Sequence, residues 1–262
     1  MPIHYKSPDE IAMMREAGRI VARAHVAMRE ALRPGISTAE LDKIAEAVIR
    51  DHGATPVFVG VKKKDAQDFP ATITASINHE MIHGIPRKER ILKEGDVVGL
   101  DTACNFKGFV GDSAWTYVVG DPSPMVARFL RVAEESLWAG IRASVLPNGI
   151  RDVALAVQKH VEKHGYSVAR EYTGHGVGKA MWEEPEVPNW WPKRPPRNQK
   201  WENHRLQPGM TYALEPMVIA GRGDTRELSD GWTVVSVDRS LTAHFEHTIA
   251  VTDGEPVVLT VL

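Results

Sequence analysis

From Ile11 to Leu32 the apolar positions fall on one helical face. Ile11, Met14, Val21, Ala24, Met28 and Leu32 follow three- and four-residue steps with one longer gap. Ahead of them, Ser7-Pro8-Asp9-Glu10 reads as a helix start, with Ser at the cap, Pro in the first turn and Glu three residues after the cap. Pro34-Gly35 stops the run. Ser37-Thr38-Ala39-Glu40 repeats the capping box, and Leu41, Ile44, Val48 and Ile49 predict a second helix ending near His52-Gly53. The pair then recurs. Ser123-Pro124 opens a helix to about Ser144, and another runs from about Arg151 to His164.

After each helix pair the pattern turns strand-like. Ala71 to Ile77 is rich in β-branched residues. Asp96 to Asp101 and Phe109 to Val119 predict strands joined by a turn between Asn105 and Gly108. Met210 to Val218, Trp232 to Val237 and His244 to Val251 predict strands of the second half. Helix pairs followed by antiparallel strands, twice over, predict an α+β fold with helices packed on one curved, mostly antiparallel sheet. Gly120 to Pro124 is the best seam, and one domain over 1–262 with halves of about 1–120 and 121–262 is expected.

The halves share a spelling. Leu92 to Asp101 and Leu206 to Glu215, offset by 114, both read leucine, two residues, glycine, four residues, leucine and an acid. The same offset carries Gly35 onto Gly149, and His52-Gly53 answers His164-Gly165 at an offset of 112. A pseudo-twofold pair of halves would bring Asp101 and Glu215 face to face. Facing carboxylates repel and have to be protonated or bind cations, so a metal site is the first expectation.

The net charge of -2 argues against a general nucleic-acid binder. A single cysteine, Cys104, rules out an internal disulfide and suits a reducing compartment. There is no apolar run long enough for a bilayer and no signal-peptide core, so a soluble cytoplasmic protein is expected.

Asp101 and Asp112, eleven positions apart, can point to one spot from adjacent strands of a hairpin. His175 lies between glycines in Tyr172-Thr-Gly-His-Gly-Val-Gly178, where small neighbours permit close backbone approach. Glu215 precedes Pro216, and Glu246 follows His244-Phe245. Taken singly, each of these is more often a solvated or turn residue. The duplication supports them as a set. Four acids and one histidine suit two divalent ions, with some acids bridging at about 3.5–4 Å separation. The segment from Val187 to Arg205 carries Trp190, Trp191 and Trp201 among basic residues and prolines, and reads as a surface loop or a lid.

These residues also carry a resemblance. Ser76-Ile-Asn-His-Glu-Met-Ile-His83-Gly-Ile-Pro86, Leu100-Asp101, Gly111-Asp112-Ser113, the stretch around His175, Glu183-Glu-Pro185, Leu214-Glu215-Pro-Met217, Asp230-Gly-Trp232 and Phe245-Glu246-His-Thr248 stand in order along nearly the whole chain. In these the chain resembles the type I methionine aminopeptidases, the short bacterial form of the pita-bread (creatinase/aminopeptidase) fold. The resemblance implies removal of N-terminal methionine ahead of a small second residue by metal-assisted hydrolysis. It implies Asp101, Asp112, His175, Glu215 and Glu246 as ligands of two divalent ions (Co, Mn, Fe or Zn), with a monovalent cation near Asn78 and Thr242 as a further option. It implies Glu215 as proton carrier, Asp101 or a metal ion as receiver of the substrate amine, and His83 as partner of the scissile amide. The methionine pocket would draw on Phe69, Thr74, Met181 and Trp232, with Phe58 at its edge. Thr74 stands where many relatives carry cysteine. The implied substrates are nascent polypeptides, with transient ribosome contact, no membrane or specific nucleic-acid partner, and a monomeric state.

One departure stands out. Trp182 occupies the place of a second substrate-binding histidine, and an indole donates one hydrogen bond but accepts none. The nearby tryptophans of the 187–205 segment would reshape the same rim. Two rivals share the fold, an Xaa-Pro aminopeptidase and a non-catalytic binding protein. A third, a zincin reading of His79-Glu-Met-Ile-His83, requires a helix where Gly84 and Pro86 disfavour one.

Overall fold

The computed structural model describes residues 2–194 and 202–262. The helix signals translate directly. α1 (Pro8–Ala31) and α2 (Thr38–Asp51) start at Ser7 and Ser37, each with a complete capping box to Glu10 and Glu40. α3 (Pro124–Ala143) is capped by the Ser123 hydroxyl, and α4 (Ile150–Lys163) starts after Gly149. The first half adds β1 (Thr55–Pro56), β2 (Ile73–Ile77), β3 (Glu80–Ile82), β4 (Val97–Phe106) and β5 (Phe109–Val118). The second adds β6 (Ser167–Val168), β7 (Thr173–Gly176), β8 (Glu183–Pro188), β9 (Thr211–Leu214), β10 (Met217–Ile219), β11 (Thr225–Glu227), β12 (Val234–Ser236), β13 (Thr242–His244), β14 (His247–Ala250) and β15 (Val257–Val258).

The curved surface is built from four antiparallel groups. β4 pairs with β5 along its length and with β2 and β1 on its other edge. β7, β9 and β14 are central in the largest group, flanked by β8 and β15. Two predicted strands are broken. Met210 to Val218 splits at Glu215-Pro216, where proline supplies no N–H for a ladder. His244 to Val251 begins two residues early and splits at Phe245-Glu246, because the Glu246 N–H turns to the Ala114 carbonyl at 2.8 Å. At each break the chain leaves one sheet and enters another: β9 and β14 pair together, as do β10 and β13.

The duplication is real in the backbone. Gly95 and Gly209 both adopt φ near +85° (83° and 87°), a left-handed turn open to glycine, and their N–H groups donate to Val119 and Val251. The expected match of Gly35 with Gly149 is corrected. Isolated bridges join Ser37 to Ile91 and Gly149 to Arg205, so Gly149 answers the helix-capping Ser37. The offset is therefore 112 through the helix pair and 114 after it.

Each half has its own apolar core beneath its helices. The halves are stitched beside the site. The Ser113 hydroxyl donates to the Glu246 carbonyl (2.7 Å), Thr248 to Asp112 (2.8 Å) and Thr116 to His244 (2.8 Å). Buried His25 ties α1 to the same strand. Its Nε2–H donates to the Ser113 carbonyl at 2.9 Å and its Nδ1 accepts from Tyr117 at 3.4 Å. Burial holds this imidazole down to about 4. An unfolded histidine titrates near 6.5, so between pH 6.5 and 4 the unfolded chain takes up a proton that the folded chain refuses. Stability present above pH 6.5 is then lost as pH falls, by about 3 kcal/mol at most for this residue. Urea unfolding at pH 7.5 and 5 is expected to show a smaller difference in His25→Gln, whose amide reaches the same carbonyl. An unchanged difference would contradict the assignment.

Candidate active site

Asp101 and Asp112 stand on β4 and β5. Asp101 is opposite Ala114 and Asp112 opposite Ala103, so the two are diagonal neighbours on one face, as the eleven-residue spacing predicts. His175 lies on β7 between two glycines that have no room for a side chain. A Cβ at Gly174 would sit 2.3 Å from the Ala213 carbonyl oxygen, and one at Gly176 would sit 2.2 Å from that of Glu184. Glu215 and Glu246 occupy the two strand breaks, where side chains can turn toward the hairpin. All five line one cavity of about 440 Å³.

Ligand atoms of Asp112, His175 and Glu246 lie within 4.8 Å of one another. His175 Nε2 is 3.7 Å from Asp112 Oδ2 and 3.6 Å from Glu215 Oε1. Its Nδ1 lies 3.0 Å from the Gly176 carbonyl, an acceptor only, so Nδ1 carries a proton and Nε2 is the ring atom turned to the acids. An imidazole lone pair at that atom, set against carboxylates, calls for a proton or a metal cation between them. Asp101 Oδ1, Asp112 Oδ1 and Glu246 Oε1 are buried with no hydrogen-bond partner. Burial and the Glu215 charge push Asp112 up to about 8, and burial pushes Glu215 up to about 7. Asp101 and Glu246 are raised well above the usual carboxylate range by burial and by the neighbouring acids. Orphaned oxygens, an imidazole nitrogen turned to carboxylates and mutually repelling acids are what a divalent cation would relieve, so the donor set fits one.

His83 follows β3 at a left-handed φ of 60°, and Gly84 behind it packs on the Ala75 backbone. The kink faces the His83 ring to Tyr172 and Trp232, both edge-on, at 6.3 and 6.4 Å. Burial, then His244 and Lys63, hold it down to about 4, so it is neutral near pH 7. Phe69 meets Trp232 edge-on at 5.1 Å and Phe58 at 6.4 Å. With Thr74 and Met181 they form an apolar wall of the same cavity. Trp182 stands half-exposed at the rim, its ring 6.3 Å from His175.

Two sequence expectations are corrected or bounded, and the disfavoured zincin helix is absent. Trp190 and Trp191 do not line the cavity. The Trp190 indole N–H donates to the Arg170 carbonyl, and the Trp191 backbone is held by Gln158 on α4, because each finds a polar anchor on the body. Trp201, with Arg197 and Lys200, lies outside the described residues. Glu80–Ile82 is strand, with His79 in the turn before it and His83 just after it, so the helix that a zincin requires is absent from this stretch. Sequence reading also missed Tyr172 on the cavity wall and His244. His244 Nε2 is buried, lacks a hydrogen-bond partner and lies 3.5 Å from Glu215 Oε2. Its two-residue spacing from Glu246 was the available signal.

The model of metallopeptidase family M24 matches residues 12–253. The chain belongs to that family. Among M24 relatives it is 44% identical to methionine aminopeptidase 1 of Bacillus subtilis over 248 residues, covering 95% of each chain. It is 39% identical to the methionine aminopeptidase of Escherichia coli strain K12, covering 99% of this chain and 94% of the other. The crystal structure of the Thermotoga maritima methionine aminopeptidase superposes with a TM-score of 0.92 at 35% identity, covering all of both chains. Prolidase from Pyrococcus furiosus, at 18% identity, TM-score 0.76 and 65% of its own length, shares the M24 pita-bread fold.

Proposed function

We propose that this chain is a methionyl aminopeptidase of the type I, bacterial class, a metal-dependent hydrolase that releases N-terminal methionine from peptides and proteins. The observation that carries this is the buried ring of Asp101, Asp112, His175, Glu215 and Glu246 beside an apolar wall, in a chain matched end to end by methionine aminopeptidases. The five side chains would hold two divalent ions, which supply charge to polarise the amide carbonyl and acidify the attacking water.

The chain's own groups do the rest. Asp101, midway along β4 and on the cavity face, accepts hydrogen bonds from the substrate's free amine. Glu215 takes the proton from the attacking water and returns it to the leaving nitrogen. His83, neutral, hydrogen-bonds the scissile amide. Phe58, Phe69, Thr74, Met181 and Trp232 form the slot for an unbranched thioether, whose sulfur favours aromatic edges. Beside the site, the Thr242 hydroxyl lies 3.0 and 2.7 Å from the carbonyls of Asn78 and Glu80, and one proton serves only one of them. A monovalent cation would take up the excess oxygen density. Residues 1–262 act as one catalytic unit, and nascent chains are the proposed substrates.

The test is cleavage of a Met-Ala-Ser peptide by metal-stripped protein with single divalent ions restored. Recovery with at least one of Co, Mn, Fe or Zn is the expected result, and methionine left in place under all of them refutes the reading.

Trp182 bears on the second residue. Its indole donates but neither accepts nor shuttles a proton, so the rim is built to orient rather than to transfer. The wild type is expected to turn over Met-Ala and Met-Gly peptides. Trp182→His is expected to change the ratio of their kcat/KM values with less than about a tenfold change in rate. An inactive wild type revived by histidine would show that the position has a proton-transfer role.

A further inference from the structure

A second concavity of about 530 Å³ adjoins the catalytic cavity and shares Trp182, Glu183 and Glu184 with it. Its far wall is the N-terminal segment with Tyr5, and its floor is Phe109 and Ala180. The wall is fixed in place. Lys6 forms a buried ion pair with Glu183 at 2.6 Å, its backbone N–H donates to the Gly209 carbonyl, and its ammonium reaches the His4 carbonyl at 3.0 Å. Opposite, Lys179 lies 5.5 Å over the Phe109 ring and pairs with Glu10 at 3.1 Å.

Two aromatic side chains here are spread open to solvent, Trp182 at 51% and Tyr5 at 48% exposure, and Phe109 is half-buried between the walls. The charges of this groove largely cancel in the two ion pairs. An aromatic, nearly neutral trough binds side chains of many kinds and selects weakly among them. That chemistry suits a chain segment whose sequence varies from one substrate to the next.

Resting on the aminopeptidase reading, we propose that the substrate polypeptide leaves the catalytic cavity over Trp182 and lies in this N-terminal groove from its third residue onward. A polypeptide cut at its first bond has to exit with the rest of its length attached. Two other concavities, one lined by Arg19 and Phe106 and one by Arg87 and Asp230, share no lining residue with the catalytic cavity. Trp182 thus serves two neighbours, the second residue on one side and the departing chain on the other.

The experiment compares kcat/KM for Met-Ala-Ser amide with two hexapeptides that begin identically and continue with Gly-Ser-Gly or with Tyr-Gly-Phe. The aromatic hexapeptide is expected to exceed the tripeptide by about fivefold or more, chiefly through KM, with the glycine-serine peptide between them. Tyr5→Ser and Lys179→Ser are each expected to bring the ratio of aromatic hexapeptide to tripeptide back toward one. Equal values for all three peptides in the wild type would overturn the proposal, as would a length effect that survives both substitutions, since the exit would then lie elsewhere. In either case tripeptide cleavage still supports the aminopeptidase reading. Failure to cleave the tripeptide under any ion would remove both.

Discussion

Asp112→Asn is expected to lower kcat/KM on a Met-Ala-Ser peptide by about a thousandfold or more, because losing a metal ligand forfeits several kcal/mol of charge stabilisation in the transition state. The same substitution is expected to make the metal-free protein harder to unfold. Asp112 is 2% exposed, its Oδ1 has no partner, and Glu215 and Glu246 crowd it. Its pKa rises from 3.8 unfolded to about 8 folded. The sign follows from proton uptake. Below pH 4 both states hold the proton, and as pH climbs toward 8 the folded metal-free chain has to hold a proton that the unfolded chain releases. Stability is therefore lost across that interval. An amide at the position carries no such demand. Thermal melts of metal-free wild type and variant at pH 5 and 8 test this: the wild type should fall more steeply with pH. Added metal should raise the melting temperature of the wild type more than that of the variant. Full activity in Asp112→Asn would end its assignment as a ligand.

Replacing His83 with alanine is expected to reduce kcat by 10²–10⁴-fold, the range for loss of a positioned proton donor. KM should move little, because the methionine slot is built from other side chains. Asparagine is the necessary companion variant. His83 sits at φ 60°, where alanine is strained by roughly 1 kcal/mol and asparagine is better tolerated. If both variants lose rate while only alanine loses stability, the imidazole is doing chemistry rather than holding the turn. If asparagine restores the rate, the position needs a hydrogen-bonding group at the scissile amide and no imidazole.

Much of this was legible in the sequence. Capping boxes at Ser7 and Ser37 announced helices that begin one residue later. The repeated leucine-glycine-leucine-acid spelling marked the two glycines that take left-handed turns and two of the four acids. Of the two strand breaks, the one at Glu215 was signalled by Pro216, while the one at Glu246 was not legible, because only a bond across the halves, Glu246 N–H to Ala114, decides where that ladder stops. His244 was hidden for the same reason, its meaning depending on Glu215 from a different strand. The N-terminal groove draws on residues 2–10, 109 and 179–184, which no local pattern connects.

The two interrupted strands have a mechanical consequence. Glu215 and Glu246 sit on the fold line between two sheets, on backbone held by few ladder bonds of its own. One apolar core packs against both sheets, through Tyr212, Leu214 and Ile249 on one side of the line and Val218 and Ala243 on the other, so their angle is set by close packing. A centre mounted on that line has a fixed aperture, held open by the core beneath it rather than by the carboxylates themselves.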